Sequence, residues 1–521
     1  MNATTLARNI VRQLIEQGVS DFVLSPGSRN APLSLALYQA QTAGLINLYV
    51  RIDERGAAFF ALGLSKASDN FVAAICTSGT AAANFHPAIL EAYHSGNKLL
   101  AITADRPARL RRTGANQTTL HAGLLEPVKT FDIAEVADIS HLLIDGPSHL
   151  NIQFDEPLLL DERSDWLAGI AIRVKEYSKD KSNSVFYPLP KGVVIVGHDR
   201  AGLDKESITH FATALGWPLI AEDPLSFPTS ISHAALFLSD QDIRTAYKPE
   251  QIMVIGRTTL SRSINQLIGE CQNVIVVDPR ARTIDTARTA SEIFDSLPDF
   301  HVTRDDEWLK RWQEAAAIVS KTIALSWSEQ VAITAIVENI PNEAALFIGS
   351  SRPVRDIEGF ATPRTGITTF ANRGLAGIDG NLSCAFGIAE KFERSFGIVG
   401  DITFLHDISA MANPSEANLT IYIIDNNGGG IFNTLPQSGL DGFEKIFGTP
   451  HNLDLEKVLG GFGAHVTKVK SRSDLVRTII HFSPGLNFVV VEVPGRESNA
   501  KKLKIITQSL VSALRIGNNL A

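Results

Sequence analysis

The chain is poor in cysteine, and it has no long apolar run. Three cysteines, Cys76, Cys271 and Cys384, are spread over 521 residues. Because they are few, odd in number and far apart, neither a disulfide framework nor a paired-cysteine metal site is predicted. No apolar run reaches the ~18 residues that a membrane span requires, so no span is predicted.

Positive charge is also in short supply. Lysine and arginine total 48 against 56 acidic residues, which gives a net charge of −8. Non-specific nucleic-acid binding depends on basic residues that neutralise phosphates, so no nucleic-acid partner is expected. Residues 1–18 have the pattern of an amphipathic helix and lack the continuous apolar core of a signal peptide. We therefore expect a cytoplasmic protein.

The chain is rich in short apolar runs that alternate with helical patterns. This alternation is typical of α/β layers around parallel sheets. The length favours about three domains. A Lys- and Ser-rich stretch at 173–192, which ends in prolines, predicts a linker. The sequence thus predicts three successive parallel-sheet α/β domains, residues 1–180, 190–325 and 330–521, of which the central one is mainly architectural.

Polar residues follow two apolar runs of the third domain. Asp401 ends the run at 396–400, and Asn426 follows the run at 421–425. One strand–helix–strand passage fills the 25 residues between them. Carboxylate and amide oxygens are hard ligands suited to Mg²⁺ or Ca²⁺, and the glycines at 428–430 would let backbone approach a phosphate. The pattern predicts a Mg²⁺–diphosphate site; the alternative is that Asn426 and Asn427 open an ordinary turn.

The pair formed by GD and a following NN resembles the diphosphate-binding motif of thiamine diphosphate (ThDP) enzymes. The usual GDG is Gly400-Asp401-Ile402 here. The resemblance implies ThDP as the cofactor and a three-domain fold of the ThDP-dependent decarboxylase type. It also implies that Mg²⁺ or Mn²⁺ is held by Asp401, Asn426 and the Gly428 carbonyl in a diphosphate-binding third domain.

ThDP enzymes also need a glutamate beside the aminopyrimidine ring of the cofactor. Glu54 lies between a short strand and a helix of small and apolar residues, in RIDERGAAFFALG at 51–63. The resemblance makes Glu54 the catalytic, cofactor-contacting residue of a pyrimidine-binding first domain. The alternative is a helix-start carboxylate stabilised by the helix dipole. In this superfamily the glutamate and the metal motif meet across a subunit interface, which implies a homo-oligomer, either a dimer or a tetramer.

Further motifs are similar to one family, the 2-succinyl-5-enolpyruvyl-6-hydroxy-3-cyclohexene-1-carboxylate (SEPHCHC) synthases of menaquinone biosynthesis. They are SPGSRNAPL (25–33), DERGAAFFALG (53–63), TSGTAAAN (77–84), TADRP (103–107), GANQ (114–117) and ANRGLAGIDG (371–380). The resemblance implies a transferase that decarboxylates 2-oxoglutarate and adds the resulting succinyl-semialdehyde carbanion 1,4 to isochorismate.

Two other functions are compatible with parts of the sequence. One is another ThDP-dependent 2-oxo acid decarboxylase or an acetohydroxyacid-type synthase, which would share the metal motif and the glutamate. The other is a non-catalytic binding protein, which would be expected to have lost Glu54, Asp401 or Asn426; all three are present.

The resemblance also assigns substrate and cofactor contacts. Isochorismate would be bound by Ser28, Arg29, Arg106, Asn116 and Gln117. The oxoglutarate-derived part would be bound by Ser351, Arg355 and Arg373, with Arg262 as a further basic residue of the second domain. Ile378 would support the bent cofactor, and Ile431, Phe432 and Leu435 would form an apolar wall over its thiazolium ring. The alternatives are that each arginine pairs with a local acid, such as Asp105 or Asp356, and that the apolar residues belong to the core.

Overall fold

A computed structural model describes residues 2–139, 141–143, 146–160, 164–173, 185–280, 285, 288–301, 305–323 and 326–517. Residues 174–184 of the predicted linker lie outside the described residues, as do the predicted domain ends at 180 and 325. The chain divides into two compact units. The first comprises Met1–Ser178, Asn372–Glu393 and Thr403–Leu419, and the second comprises Lys179–Ala371, Arg394–Ile402 and Thr420–Ala521.

The first part of the chain forms a six-stranded parallel sheet with the order β2-β1-β3-β4-β6-β5. Its strands are β1 (Asp21–Leu24), β2 (Asn47–Val50), β3 (Val72–Cys76), β4 (Leu99–Asp105), β5 (Thr130–Ile133) and β6 (Ser148–Gln153). Its helices are α1 (Ala3–Glu16), α2 (Ala31–Thr42), α3 (Glu54–Ser68), α4 (Thr80–Asn84) and α5 (His86–Ser95). Strands β3 and β4 are buried along their whole length, as expected for the centre of a parallel sheet with helices on both faces.

The central part of the chain forms a five-stranded parallel sheet with the order β12-β11-β10-β8-β9, and β7 pairs with β13. The strands are β7 (Val185–Phe186), β8 (Gly192–Val196), β9 (Leu219–Ala221), β10 (Gln251–Ile255), β11 (Val274–Val277), β12 (Ala290–Phe294) and β13 (Asp299–Phe300). The helices are α6 (Lys205–Leu215), α7 (Ala234–Phe237), α8 (Gln241–Ala246), α9 (Arg262–Glu270) and α10 (Asp306–Thr322).

The last part of the chain forms a six-stranded sheet with the order β15-β14-β16-β17-β19-β18. Its strands are β14 (Ala345–Ile348), β15 (Thr368–Ala371), β16 (Ser395–Gly400), β17 (Leu419–Asp425), β18 (His465–Val469) and β19 (Leu486–Glu492). The helices are α11 (Glu329–Asn339), α12 (Arg352–Phe360), α13 (Asn381–Ala389), α14 (Asp401–His406), α15 (Leu455–Gly460), α16 (Arg472–Ile480) and α17 (Arg496–Gly517). Strands β16 and β17 are neighbours, so the segments that follow them can meet at one edge of the sheet.

The predicted fold class, three α/β blocks with parallel sheets in series, is confirmed. The three cysteines are buried free thiols. Among the described residues, no helix combines the length and the apolar character that crossing a membrane would require.

Helices α3 and α13 cross at very short range in the first unit. A Cβ added at Gly63 would lie 2.1 Å from the Cys384 carbonyl oxygen, and one at Gly387 would lie 2.1 Å from that of Phe60. Only glycine permits so close an approach of two backbones. The small residues that follow Glu54 in the sequence therefore allow this crossing. The crossing in turn holds α3 in place, and Glu54 is the first residue of α3.

Candidate active site

Asp401 and Asn426 lie side by side at the ends of β16 and β17. The Asp401 Oδ2 atom accepts hydrogen bonds from the backbone N–H groups of Asn426 (3.2 Å) and Gly428 (2.8 Å). Its Oδ1 atom accepts one from the Ile402 N–H at 2.6 Å. The carboxylate thus holds the DNNGGG turn against the preceding strand, and both side chains are nearly fully buried.

The side-chain amide of Asn426 is held by one end only. Its Nδ2 atom donates to the carboxylate of Glu329, a buried residue at the start of α11. Its Oδ1 atom is buried and has no hydrogen-bond partner among the described residues. A buried acceptor without a partner is costly, and a cation beside it would remove that cost.

Burial raises the pKa of Glu329 to about 7, against the lowering influence of the nearby Arg352 guanidinium. Arg352 Nε lies 3.7 Å from the Glu329 carboxylate, and its other end is bonded to Asp356. Sequence reasoning missed Glu329 and Arg352, because Glu329 is 97 residues from Asn426 and no local motif marks it.

Each of the three glycines in the turn is required by its surroundings. A Cβ at Gly428, whose φ is +132°, would lie 2.3 Å from the Gly448 carbonyl oxygen. One at Gly429 would lie 2.5 Å from the Phe447 carbonyl oxygen, and one at Gly430 would lie 2.6 Å from Asn426 Nδ2. The segment is more than an ordinary turn, since its glycines allow close contact with a second stretch of chain.

That second stretch is the segment at 447–452, which the sequence analysis did not single out. Asn427 and Asn452 form a reciprocal pair: Asn427 Nδ2 donates to Asn452 Oδ1 at 2.9 Å, and the Asn452 N–H donates to Asn427 Oδ1 at 2.8 Å. The pair brings His451 Nε2 to 3.3 Å from Asp401 Oδ2 and 3.7 Å from Asp425 Oδ1.

Asp401, Asp425 and His451 make an alternative set of metal ligands, since one ligand atom from each lies within 4.8 Å of the others. The predicted set, Asp401, Asn426 and the Gly428 carbonyl, suits Mg²⁺ better because this ion prefers oxygen ligands. The Gly428 carbonyl accepts a bond from the Gly430 N–H at 2.9 Å and keeps a second lone pair. The residues therefore fit a divalent cation, and the unpartnered Asn426 oxygen is the clearest candidate ligand.

The residues predicted to form an apolar wall follow the glycines directly. Ile431 and Phe432 lie in a short 3-10 turn, Gly430–Thr434, and Leu435 comes next. All three are half-buried, as is Ile378 in the first unit. Partial exposure argues against the alternative that they are ordinary core residues.

Three predicted substrate residues of the second unit lie in two separate places. Ser351, with φ +75°, precedes α12, and its carbonyl oxygen accepts a bond from Arg355 at 2.7 Å. A positive φ is unusual for serine and indicates a constrained turn. Arg262 is exposed at the start of α9 and has no hydrogen bond or ion pair to any described residue. Nothing in the described part of the chain joins Arg262 to the Ser351 turn.

In the first unit, Glu54 is the first residue of α3, but it does not cap the helix. Asp53 does so, because its side chain accepts the Arg55 N–H at 3.1 Å. Glu54 is half-buried and has no hydrogen bond or ion pair within the described residues. A capping bond therefore does not account for Glu54, although the helix dipole still favours a carboxylate at this first position.

Arg29 and Arg106 are neighbours at the carboxyl edge of the first sheet. Burial and the positive charge of Arg29 lower the pKa of Arg106 below its ordinary value. Arg106 Nη1 donates to Ser78 Oγ and to the Gln117 carbonyl, both at 2.6 Å. Arg29 lies 3.1 Å from the exposed carboxylate of Glu156. Two guanidinium groups held together in this way favour an anion between them.

Of the other residues predicted to bind isochorismate, Ser28, Asn116 and Gln117 are exposed. Arg373, predicted to bind the oxoglutarate-derived part, follows β15 in the chain and is 3% exposed. The local acids named as alternative partners are bonded to other arginines. Asp105 pairs with Arg111 at 2.9 Å, and Asp356 is bonded to Arg352.

Comparison with known proteins agrees with this geometry. Three thiamine pyrophosphate family models match in order: "Thiamine pyrophosphate enzyme, N-terminal TPP binding domain" over 4–124, "Middle domain of thiamine pyrophosphate" over 160–348, and "Thiamine pyrophosphate enzyme, C-terminal TPP binding domain" over 350–493. A SEPHCHC synthase of Nocardioides sp. is 37% identical, over 96% of this chain and 97% of its own length. The SEPHCHC synthase of Thermobifida fusca is 34% identical, over 98% of this chain and 100% of its own length.

The chain belongs to the SEPHCHC synthase family. A further relative, the SEPHCHC synthase of Lysinibacillus sphaericus, is 32% identical over 91% of this chain. The family resemblance predicted from the motifs is thus confirmed, and the chain is an enzyme of the thiamine pyrophosphate class. Membership of the SEPHCHC synthase family favours the carboligase over a general 2-oxo acid decarboxylase or an acetohydroxyacid-type synthase.

Proposed function

We propose that this enzyme decarboxylates 2-oxoglutarate and adds the remaining succinyl-semialdehyde unit 1,4 to isochorismate, giving SEPHCHC and CO₂ for menaquinone biosynthesis. The observation that carries the proposal is the pair Arg29 and Arg106, held together at the carboxyl edge of the first sheet beside the GANQ segment. The two substrates bring four carboxylates between them, and arginine binds carboxylates in a bidentate manner at any relevant pH.

Asp401, Asn426 and the Gly428 carbonyl would hold Mg²⁺ or Mn²⁺, and through it the diphosphate of ThDP. The unpartnered Asn426 oxygen and the side-chain-free turn support this assignment. When bound, ThDP supplies the acidic carbon at which a 2-oxo acid can lose CO₂. Ile431, Phe432 and Leu435, with Ile378, would exclude water from the thiazolium end.

Glu54 would hydrogen-bond a ring nitrogen of the aminopyrimidine and exchange a proton with it, which favours the imino tautomer. Its half-buried carboxylate, which is free of the capping bond, supports this role. The glutamate would face the metal site of a second copy of the chain in a dimer or tetramer. A cytoplasmic location and the three domain boundaries given above remain predictions.

Ser28, Arg29, Arg106, Asn116 and Gln117 would bind isochorismate. A separate group, Ser351, Arg355 and Arg373, would bind the part derived from 2-oxoglutarate. Arg262 is the weakest member of the set, since it is exposed and bonded to none of the others in the described structure.

The proposal is tested by a comparison of substrates with the purified enzyme, ThDP and Mg²⁺. We expect release of CO₂ from 2-oxoglutarate to accelerate when isochorismate is added, with SEPHCHC as the product. Pyruvate should give neither acetaldehyde nor acetolactate. Formation of either compound at a comparable rate would overturn the assignment in favour of another ThDP enzyme.

A further inference from the structure

A buried polar network lies beneath the segment that carries Asn116 and Gln117. Its centre is His121, which is 0% exposed, as is Asn151 on β6. His121 Nε2 accepts the backbone N–H of Gly79 at 3.3 Å, and His121 Nδ1 lies 2.8 Å from Asn151 Oδ1. Neither residue belongs to a motif that predicted substrate contact.

The hydrogen bonds determine the proton position on His121. A backbone N–H can only donate, so Nε2 carries no proton, and Nδ1 must donate to the Asn151 oxygen. The Asn151 amide is fixed as well, because its Nδ2 atom donates to Asp105 Oδ2 at 3.0 Å and to Asp132 Oδ1 at 2.9 Å. His121 therefore acts as one neutral tautomer with both nitrogens engaged.

The other end of the segment has its own attachment. The Arg111 side chain is 9% exposed and lies 2.9 Å from Asp105 and 2.7 Å from Asp132. Asp105 and Asp132 also accept from Asn151. Residues 111 and 121 are thus tied to the same group of side chains, Asp105, Asp132 and Asn151, and the exposed GANQ turn lies between the two attachments.

This arrangement bears directly on Arg106. Its guanidinium donates to the carbonyl oxygen of Gln117, and Ser78 Oγ donates to the same carbonyl at 2.9 Å. Gln117 has φ 57°, and a Cβ at Gly79 would lie 3.0 Å from Gln117 Cγ, so the two turns fit closely. Because His121 bonds the Gly79 N–H, it holds the Ser78–Gly79 turn and the GANQ turn in register.

We propose that His121 is a positioning residue for the isochorismate site. Its neutral imidazole fixes the GANQ turn against Gly79, so that the Gln117 carbonyl and Ser78 aim the Arg106 guanidinium at a substrate carboxylate. The inference rests on the proposed function, because it assumes that isochorismate is the ligand of Arg106. His121 acts through these neighbours and touches no reacting atom.

The decisive variants are His121→Ala and His121→Gln. Glutamine carries an acceptor and a donor at its end, as the imidazole does, and can restore both bonds. We expect His121→Ala to raise the KM for isochorismate by about tenfold or more and to leave the KM for 2-oxoglutarate within about twofold. We expect His121→Gln to recover most of the loss.

Ser148→Ala is the matched control. It removes a buried hydrogen bond, from Ser148 Oγ to the Leu142 carbonyl oxygen at 3.1 Å. Ser148 lies on β6, the strand that also carries Asn151, and this bond does not involve the GANQ turn. It should lower the thermal unfolding midpoint and leave the KM for isochorismate unchanged. A general structural role for His121 would instead lower the midpoint with no selective change in KM.

Arg111→Lys tests the other attachment if His121→Ala does not fold. It keeps the charge but loses the bidentate bonds, and it should raise the same KM selectively. Equal changes in both KM values, or a change in the midpoint alone, would overturn the inference. If the unaltered enzyme makes no SEPHCHC, the proposed function fails; if it does so and the variants keep a normal KM, only the role of His121 fails.

Discussion

At the scale of single residues, the second candidate ligand of the metal is defined by a distant carboxylate. Glu329 takes the nitrogen of the Asn426 amide, which leaves the oxygen directed away from Glu329 without a partner. A turn alone would not orient the amide in this way. The sequence predicted Asn426 from its position after a strand. The orientation of its amide, however, is determined by Glu329, which no sequence motif indicated.

Asp401→Ala should weaken ThDP binding by at least about tenfold when Mg²⁺ is present, because the metal loses a charged ligand and the DNNGGG turn loses its anchor. Titration calorimetry with and without Mg²⁺ measures the effect. Asp441→Ala, an exposed acid of the same unit, serves as the control. Unchanged ThDP affinity in the Asp401 variant would refute its role as a metal ligand.

Glu54→Gln should reduce kcat by a factor of at least about 100, the usual scale of acid–base contributions, and leave ThDP bound. Glutamine keeps the shape of the side chain but cannot accept a proton. Turnover is measured as SEPHCHC formation, and cofactor binding by calorimetry. Near-normal turnover would show that the proton relay does not pass through Glu54.

At the scale of elements, the crossing of α3 and α13 depends on two glycines. Gly63→Ala should destabilise the protein by about 1–3 kcal/mol, the usual cost of overpacking, because its Cβ would meet the Cys384 carbonyl oxygen. Gly460→Ala is the control, since nothing lies within 4 Å of a Cβ there. Thermal unfolding should show a lower midpoint only for Gly63→Ala. Equal midpoints for the two variants would mean that the helices can separate without cost.

The histidine network of the first sheet predicts a pH dependence of stability. Burial lowers the pKa of His149 to about 3, whereas Asp132 acts in the opposite direction. An unfolded histidine titrates near ~6.5, so between these values the unfolded state binds more protons than the folded one. The contribution of His149 to stability is therefore complete above about pH 6.5 and is lost as the pH falls toward 3.

His149→Gln removes this titration. The difference in unfolding free energy between the unaltered protein and the variant should shrink by about 1.6 kcal/mol from pH 6.5 to pH 5, because the slope rises from half of ~1.4 kcal/mol per pH unit to nearly that value over this range. Urea unfolding at the two pH values measures it. A difference that stays constant would mean that the pKa of His149 is not lowered in the folded state.

At the scale of the whole molecule, the predicted subunit interface can be tested by mixing two inactive variants. Glu54→Gln and Asp401→Ala each remove one half of a site. If the halves come from different chains, random exchange into dimers makes half of the molecules mixed, each with one intact site, so about one quarter of the sites recover. No recovery after subunit exchange would place both halves in one chain.

The sequence predicted the parts of the site that depend on local geometry. Asp401 and Asn426 were expected at one sheet edge because a single strand–helix–strand passage joins them, and β16 and β17 are neighbours. The small residues of α3 were visible, although their purpose, the contact with α13, was not. Such features follow from spacing and side-chain size alone.

Partners that come from elsewhere in the chain could not be predicted. Glu329, His451 and His121 reach the candidate sites only through packing, and none stands in a motif of its own. The arginines show the same limit, because Asp105 is adjacent to Arg106 but its carboxylate pairs with Arg111. Adjacency in the sequence therefore did not predict which arginine and which carboxylate form an ion pair.

The central claim is tested most directly by one assay of the purified enzyme with isochorismate and 2-oxoglutarate, with ThDP and Mg²⁺ each added or withheld. We predict that CO₂ and SEPHCHC form in equal amounts, measured by mass spectrometry, only when ThDP and Mg²⁺ are both present. Product formation that does not need ThDP, or CO₂ release without SEPHCHC in the complete mixture, would contradict the account.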